Sequence, residues 1–413
     1  MTALTVTAAG TIDRIGQRLA VPPQLPAETG YGPASPRWLG QSLSSGAAGI
    51  TLLHAVRAHT GATDWQPATA WWAHAVGEQL NGGPSSGLWH GVAAVAFAGS
   101  FLPPGRFPGA RRTLHEAVTR LVASRVRDAH ARIDAGVRPD QRREFDLVYG
   151  LAGLGAYLLR VDPGGPELAA VLTYLVRLAQ PLAIHDAAGP HAPGWWTSDT
   201  PEGQPLPAGH ANLGMAHGIS GGPLALLALA ARHGVIVPGQ LDALDQICAW
   251  MDNWRQGTVG AAWWPRHLTA AEHRDRQTTQ TGPGRPSWCY GTPGIARAVQ
   301  LAAIVLGDTR RQQLAEDAIA SCLDDPAQRA QISDPGLCHG WAGVLATARA
   351  AARDARSTRI AAHLPDLTAV LIDEADREVP HTRRPGLIDG AAGIAISLLA
   401  ATDTGWDRCL LIN

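Results

Sequence analysis

The 413-residue sequence predicts an all-α fold, an α/α toroid (barrel) of seven inner and seven outer helices. Two observations lead to this prediction. Seven small-x-x-small steps recur along the chain and each opens an apolar run, whereas the segments between the runs mix charged residues with apolar residues at helical spacing. The steps begin at Gly46, Gly91, Gly150, Gly218, Gly291, Gly340 and Gly390.

The spacing of these steps indicates a helical repeat. Successive first glycines lie between 45 and 73 residues apart, which fits two helices and a variable loop per repeat. The runs that follow the steps, such as 223–231 and 394–400, are apolar nearly all round, so we expect them to form buried inner helices. The amphipathic outer helices are predicted at 110–135, 167–182, 239–254, 310–323 and 364–377.

The domain organisation follows from the extent of the repeats. Residues 1–40 are rich in Pro, Gly and Thr around a short predicted helix over 12–19, and we expect them to form an extended N-terminal lead-in. Residues 41–413 are predicted to form a single toroidal catalytic domain. Its two longest spacers carry short aromatic segments, which leaves room for a small β-containing extension in 182–210 or 257–284.

Composition excludes several classes of protein. The formal net charge is -1, from 34 basic and 35 acidic residues, which gives no reason to expect nucleic acid or an anionic membrane as the main partner. No run of about 18 apolar residues suggests a transmembrane segment, and the first ten residues lack the pattern of a signal peptide. The five cysteines are widely spaced and odd in number, so we expect reduced thiols and a cytoplasmic location.

Three residues have the chemistry of a metal site. Cys289 and Cys338 each lie two residues before the first glycine of a step, and His339 follows the second cysteine. Two thiolates and an imidazole suit zinc, and a closed structural site would require a fourth protein ligand. The sequence therefore predicts an open, catalytic zinc centre. The remaining cysteines, Cys248, Cys322 and Cys409, are expected to be small core residues.

The repeat register brings further polar residues toward the same end of the inner helices. His217 directly precedes Gly218, Tyr290 directly precedes Gly291, and Asp146 lies four residues before Gly150. His90 and Asp389 occupy equivalent positions, but we assign them structural roles.

These motifs resemble those of a known enzyme family. Ala216-His217-Gly218, Trp288-Cys289-Tyr290-Gly291 and Cys338-His339-Gly340, in this order within seven repeats, are similar to the LanC family of lanthionine synthetase cyclases. The resemblance covers about 41–402. It implies one zinc ion held by residues matching Cys289, Cys338 and His339, with the fourth position open to water or to a substrate thiol.

The resemblance also implies a reaction and further site residues. Family members add cysteine thiols of a leader-bearing precursor peptide to its own dehydroalanine or dehydrobutyrine residues, which closes thioether rings. His217 matches a candidate acid/base and Asp146 an aspartate that orients it. Arg285 matches an arginine that can stabilise developing negative charge, and Tyr290 matches a tyrosine at the site.

Several alternatives remain open at this stage. Relatives of the family can add glutathione to dehydrated residues, and a toroid can also act as a non-catalytic peptide-binding scaffold. An α/α-toroid glycosidase would need two carboxylates, for which only Asp146 and Asp389 have the right register. For a cyclase, a lanthipeptide dehydratase and an export transporter are the expected protein partners, and their complex would hold the chain at the membrane periphery.

Overall fold

The computed structural model describes residues 3–23, 40–77, 79–181, 192–200, 204–380, 384–399 and 404–413. Contacts divide the chain into two compact units. The first consists of Met1–Leu121, Ser333–Arg349 and Ala362–Trp406, and the second of Val122–Ile332, Ala350–Ala361 and Asp407–Asn413.

Helices account for most of the described chain, and none of those described is both long and apolar enough to cross a bilayer. A short π-helical segment, Ser220–Ala225, leads directly into one of them. The α-helices are α1 (Ala3–Arg18), α2 (Ala47–His59), α3 (Gln66–Val76), α4 (Val92–Gly99), α5 (Pro108–Asp134), α6 (Leu151–Val161), α7 (Pro166–Ala179), α8 (Leu226–Arg232), α9 (Gln240–Trp254), α10 (Ala270–Asp275), α11 (Thr292–Leu306), α12 (Thr309–Asp324), α13 (Pro326–Arg329), α14 (Trp341–Asp354), α15 (Arg359–Glu378) and α16 (Ala391–Leu398).

The apolar runs after the small-x-x-small steps form buried helices, as predicted. Every residue of α4 and of α16 is buried, and in α11 the first twelve residues are buried. Five of these helices take the first glycine of the step as their N-cap, without a side-chain cap. The step that begins at Gly218 differs, because its helix opens with the π-helical segment before α8 begins.

A close backbone contact explains the second glycine of the step. In four repeats, a Cβ built on this glycine would lie only 1.7 to 2.3 Å from the carbonyl oxygen six residues earlier. The loop before each helix therefore folds back onto the first helical turn, and only a residue without a side chain fits there. The four pairs are Gly49 with Leu43, Gly221 with Met215, Gly294 with Trp288, and Gly393 with Leu387.

The charged segments between the buried helices form amphipathic helices, and α5, α7, α9, α12 and α15 overlap the five predicted ranges. The helix α7 ends at Ala179, before the predicted end at 182, and residue 182 lies outside the described ranges. In the N-terminal region the helix predicted over 12–19 is longer than expected, because α1 begins at Ala3 and residues 3–11 are helical instead of extended. Buried side chains recur along α1 at Ala8, Ile12, Ile15 and Leu19, and the helix packs against α16 within the first unit. Helical spacing of its apolar residues, not composition, decides its structure. Residues 24–39 of the predicted lead-in lie outside the described ranges.

Small sheets lie in the two ranges predicted for a β-containing extension. Strands β1 (Thr197–Asp199), β2 (Pro205–Asn212) and β5 (His267–Thr269) form an antiparallel sheet in the order β1-β2-β5. Strands β3 (Gln256–Thr258) and β4 (Ala261–Trp263) form a separate antiparallel pair. Residues 182–191 and 201–203 of the predicted range lie outside the described chain.

The last residues of the chain are part of the core of the second unit. Trp288 donates a hydrogen bond from Nε1 to the carbonyl oxygen of Leu410 at 2.9 Å, and Arg297 donates from Nε to that of Ile412 at 3.0 Å. Arg297 is 1% exposed and also pairs with Asp354 at 2.6 Å. The segment that precedes Cys289 is thus held from one side by the C-terminal residues.

Candidate active site

The loops that precede the buried helices are hydrogen-bonded to one another at matching repeat positions. In the second unit, the carbonyl oxygen of Cys289 accepts hydrogen bonds from the backbone N–H groups of Met215, at 2.7 Å, and Ala216. In the first unit, the carbonyl of Ile388 accepts from Leu337 and Cys338 in the same way. Residues two positions before each first glycine therefore meet those of the next repeat, which is the register that the sequence indicates.

His217 and Asp146 form a hydrogen-bonded pair. His217 Nδ1 lies 2.6 Å from Asp146 Oδ2, the aspartate side chain is fully buried, and the histidine side chain is 22% exposed. Asp146 Oδ1 accepts from the backbone N–H groups of Tyr149 and Gly150 at 2.7 and 2.8 Å. Because a carboxylate only accepts hydrogen bonds, the contact assigns a proton to His217 Nδ1, and Nε2 is the ring nitrogen that can exchange a proton with a substrate.

Aromatic rings enclose the imidazole on two sides. Tyr149 stacks on His217 with 6.0 Å between ring centroids and an interplanar angle of 18°, and the guanidinium of Arg143 lies 4.6 Å from the centre of the tyrosine ring. The ring of Tyr290 lies 6.5 Å from that of His217. The hydrogen bond to Asp146 and these ring contacts together fix the position and the rotation of the imidazole.

Tyr290 is held as a neutral phenol. Burial raises the pKa of its hydroxyl to about 12, against the opposing effect of the hydrogen bond from Asn212. Asn212 Nδ2 donates to the phenol oxygen at 3.0 Å, and Asn212 is the last residue of β2. The phenol proton therefore stays available for donation near neutral pH, and the small sheet fixes the oxygen that carries it.

A cavity of about 520 Å³ in the second unit contains the predicted site arginine and one of the predicted metal ligands. Cys289 lies at its wall and its thiol donates to Ser287 Oγ at 3.7 Å. Ser287 also caps the backbone N–H of Tyr290 at 3.3 Å. The residues that line the cavity are Arg266, His267, Arg285, Ser287, Cys289, Tyr290 and Gln331.

Cys289, Cys338 and His339 form a group that could hold a metal ion, with their ligand atoms all within 4.8 Å of one another. Two sulfur atoms and one imidazole nitrogen fit a zinc site with three protein ligands. His339 Nε2 lies 3.4 Å from Asp334 Oδ2, so a carboxylate faces one ring nitrogen and Nδ1 is the other. Asp334 Oδ1 in turn accepts from the backbone N–H of Gly336 at 2.9 Å.

Comparison with known proteins identifies the family. Residues 37–411 match the family described as Lanthionine synthetase C-like protein. The chain belongs to this family. It is 22% identical over 276 residues to the nisin biosynthesis protein NisC of Lactococcus lactis subsp. lactis, and this match spans 65% of the chain and 64% of NisC. Among solved structures, nisin cyclase superposes with a TM-score of 0.74 at 19% identity, over 98% of this chain and 97% of that one.

The fold of this Lanthionine synthetase C-like chain is therefore that of nisin cyclase, which confirms the predicted α/α toroid with small sheets. The three cysteines assigned to the core are buried, since Cys248 and Cys409 are fully inaccessible and Cys322 is 2% exposed. Burial raises the pKa of Cys248 and of Cys322 to about 12, so these thiols stay protonated near neutral pH.

Four residues of this chain contact the predicted site residues but are not themselves predicted from the sequence, namely Tyr149, Asn212, Ser287 and Asp334. The repeat register contains part of the missing signal. Tyr149 occupies the same position before its glycine as His217, and Asn212 and Asp334 both lie six residues before a first glycine. Each of these last two accepts a hydrogen bond from the backbone N–H two residues later, which is an Asx-turn.

Proposed function

We propose that this chain is a zinc-dependent lanthipeptide cyclase. The observation that carries the proposal is the His217–Asp146 pair, because it presents an oriented imidazole nitrogen in the same unit as the cavity lined by Cys289 and Arg285. Membership of the Lanthionine synthetase C-like family and the nisin cyclase fold support it. The substrate is a dehydrated precursor peptide with a leader, and residues 41–413 act as one catalytic domain.

The proposed metal ligands are Cys289, Cys338 and His339, with the fourth position open to water or to the substrate thiol. When bound there, zinc lowers the pKa of a coordinated thiol, so that a thiolate is available near neutral pH. Ser287 donates its hydroxyl proton to the Cys289 sulfur once that sulfur is a thiolate. Asp334 orients the His339 ring and leaves Nδ1 for the metal.

The remaining residues handle the proton and the developing charge. The reaction forms a bond from sulfur to the β-carbon of the dehydro residue, moves the thiol proton to Cα and releases no group. His217 Nε2 accepts the thiol proton and the imidazolium returns a proton to Cα, while Asp146 stabilises the imidazolium. The Arg285 guanidinium stabilises the enolate oxygen, and the phenol of Tyr290 donates a further hydrogen bond.

Mass spectrometry with a thiol-labelling step tests this function. The protein is incubated with a dehydrated, cysteine-containing precursor peptide, and remaining thiols are then labelled with N-ethylmaleimide. Cyclisation leaves the peptide mass unchanged and removes its labelling sites. An increase by the mass of glutathione, when glutathione is present, would instead assign the chain to glutathione addition. A peptide that keeps its mass and all its labelling sites would leave only the scaffold role.

A pair of cysteine variants tests the metal. Cys289→Ala should lose bound zinc and cyclisation together, because it removes one of three protein ligands. Cys322→Ala is the matched control, since Cys322 is a buried residue of α12 that does not belong to the proposed ligand set, and this variant should keep both. Zinc content is measured by elemental analysis of each purified protein. Full zinc content in Cys289→Ala would refute the ligand assignment.

The expected partners follow from this function. A lanthipeptide dehydratase must supply the dehydro residues before cyclisation, and an export transporter would remove the finished peptide. We propose a cytoplasmic location, peripheral to the membrane when the chain joins such a complex. The five cysteines are all free thiols in the structure, which supports a reducing compartment. Co-purification with the dehydratase would test the first partnership.

A further inference from the structure

The cavity beside Cys289 has a cationic wall, which we define as the guanidinium groups of Arg266 and Arg285. Neither guanidinium has a carboxylate partner among the described residues, and no Asp or Glu lines the cavity. By contrast, the guanidinium of Arg311 in the same unit pairs with Asp252 at 3.0 Å. A cavity that holds two uncompensated guanidinium groups attracts an anion.

The backbone around Arg266 is fixed from both sides. Its carbonyl oxygen accepts from the N–H of Leu213 at 2.9 Å, and its N–H donates to Gln280 Oε1 at 3.2 Å. Arg266 directly precedes β5, so the small sheet and the loop that leads to His217 set its place. The residue is exposed, which leaves the guanidinium accessible to a ligand.

A glycine allows the guanidinium of Arg266 to lie against the segment that carries Arg285. A Cβ built on Gly284 would lie 2.7 Å from Nε and 3.0 Å from an Nη of Arg266. Gly284 directly precedes Arg285, so the two cationic side chains are placed together by one short segment. The loop that leads to Gly284 is fixed by Glu272, whose carboxylate accepts a hydrogen bond from the backbone N–H of Thr279 at 2.6 Å.

We propose that Arg266, on this cationic wall, binds a carboxylate of the precursor peptide next to the reacting cysteine, while Arg285 acts on the enolate oxygen. Guanidinium groups bind carboxylates through paired, charge-assisted hydrogen bonds, which are stronger than bonds between neutral groups. The carboxylate can belong to an Asp or Glu side chain or to the C-terminus of the peptide. This inference rests on the proposed cyclase function and specifies which peptides it accepts, with Arg266 as a specificity-determining residue.

Three probe peptides test the preference on the zinc-loaded protein. All carry a neutral fluorophore at the N-terminus, and their sequences are Gly-Ala-Cys-Glu-Ala-amide, Gly-Ala-Cys-Gln-Ala-amide and Gly-Ala-Cys-Gln-Ala with a free C-terminus. Fluorescence anisotropy gives each dissociation constant. We expect a carboxylate-bearing peptide to bind about tenfold more tightly than the neutral amide, and the preferred peptide identifies the source of the carboxylate. The preference should shrink between about 0.02 and about 0.5 M salt.

Two glycine variants separate position from charge. Gly284→Ala should displace the Arg266 guanidinium without changing any charge and reduce the preference severalfold. Gly282→Ala is the matched control, because a Cβ there meets nothing within 4 Å. Arg266→Gln should abolish the preference.

Two results would overturn the inference. One is equal affinity of wild-type protein for all three peptides, and the other is a preference that persists undiminished in Arg266→Gln and Gly284→Ala. Neither result affects the proposed function, because that function fails only if the wild-type protein leaves a dehydrated peptide uncyclised in the separate maleimide assay.

Discussion

Replacing Asp146 by Asn is the sharpest perturbation of the proposed acid/base. The substitution keeps the size of the side chain, and Oδ1 can still accept from the N–H groups of Tyr149 and Gly150. The other side changes, because an amide NH₂ then faces His217 Nδ1 at the position where Oδ2 lies 2.6 Å away. Two donors cannot pair, so the ring must move its proton from Nδ1 to Nε2.

This change of tautomer removes the nitrogen that would accept the thiol proton. Proton transfer by a positioned side chain contributes about 10²- to 10⁴-fold, so we expect kcat to fall by at least about 10²-fold in Asp146→Asn. Because a neutral amide–imidazole hydrogen bond replaces the charge-assisted one, the free energy of unfolding should fall by about 1 kcal/mol. Asp146→Ala should destabilise the protein further, by about 1–3 kcal/mol for each of the two backbone N–H groups left without an acceptor.

Both quantities can be measured on the same protein preparations. Cyclisation is followed under single-turnover conditions by counting maleimide labels against time, and stability is followed by urea unfolding. The reasoning requires similarly low activity but different stability in the Asn and Ala variants. A cyclisation rate for Asp146→Asn within about threefold of wild type would refute the assignment of the His217 tautomer.

Three further predictions follow from other contacts. Tyr149→Ala should lower kcat by about tenfold while zinc content is unchanged. Tyr149→Phe should keep most of the rate, since the ring stacking does not need the hydroxyl. The pH–rate profile of Tyr149→Ala should shift, which a purely structural defect would not cause. Iodoacetamide applied to native protein with a zinc chelator should modify the half-exposed Cys338 and spare Cys248, because burial raises the pKa of the Cys248 thiol to about 12. Peptide mapping locates the label, and modification of Cys248 would contradict the burial argument. Burial alone would raise the pKa of Glu272, but hydrogen bonds to its carboxylate lower it from 4.5 to about 2, so the contribution of this residue to stability is present above pH 4.5 and is lost as the pH falls toward 2. In urea titrations, the difference in free energy of unfolding between wild type and Glu272→Gln should therefore shrink over that pH range. A difference that stays constant would contradict this linkage.

The repeat signal explains how much of the fold the sequence predicts. Gly221, Gly294 and Gly393 mark the starts of buried helical segments because a backbone carbonyl lies where a side chain would be, and this contact is local in sequence. A contact between residues so close in sequence requires glycine at the same position of these repeats, and this repetition is visible in the sequence. The helix α1 is predicted only over 12–19, whereas it begins at Ala3, because the Pro and Gly of residues 22–40 make the composition of the N-terminal region resemble an extended segment.

The site was predictable where its residues share the repeat register and unpredictable where they do not. The register places His217 and Asp146 toward the same cavity and the family resemblance pairs them, and in the structure they lie 2.6 Å apart. Asn212 holds Tyr290 from the end of a strand 78 residues away, and no local pattern encodes that contact. Arg266 depends on the fold of an inserted sheet, so only the structure reveals its place at the cavity.

The anchoring of Trp288 by the C-terminal residues has a practical consequence for anyone handling this protein. The carbonyl of Leu410 that fixes the indole lies only a few residues from Asn413, and the indole belongs to the residue just before a proposed zinc ligand. A purification tag, a fluorescent fusion or a surface tether attached at Asn413 would therefore pull on the loop that carries Cys289. Tags and fusions of this kind are better placed at the N-terminus. If a C-terminal fusion has low zinc content, distortion of this loop should be tested before the ligand assignment is rejected.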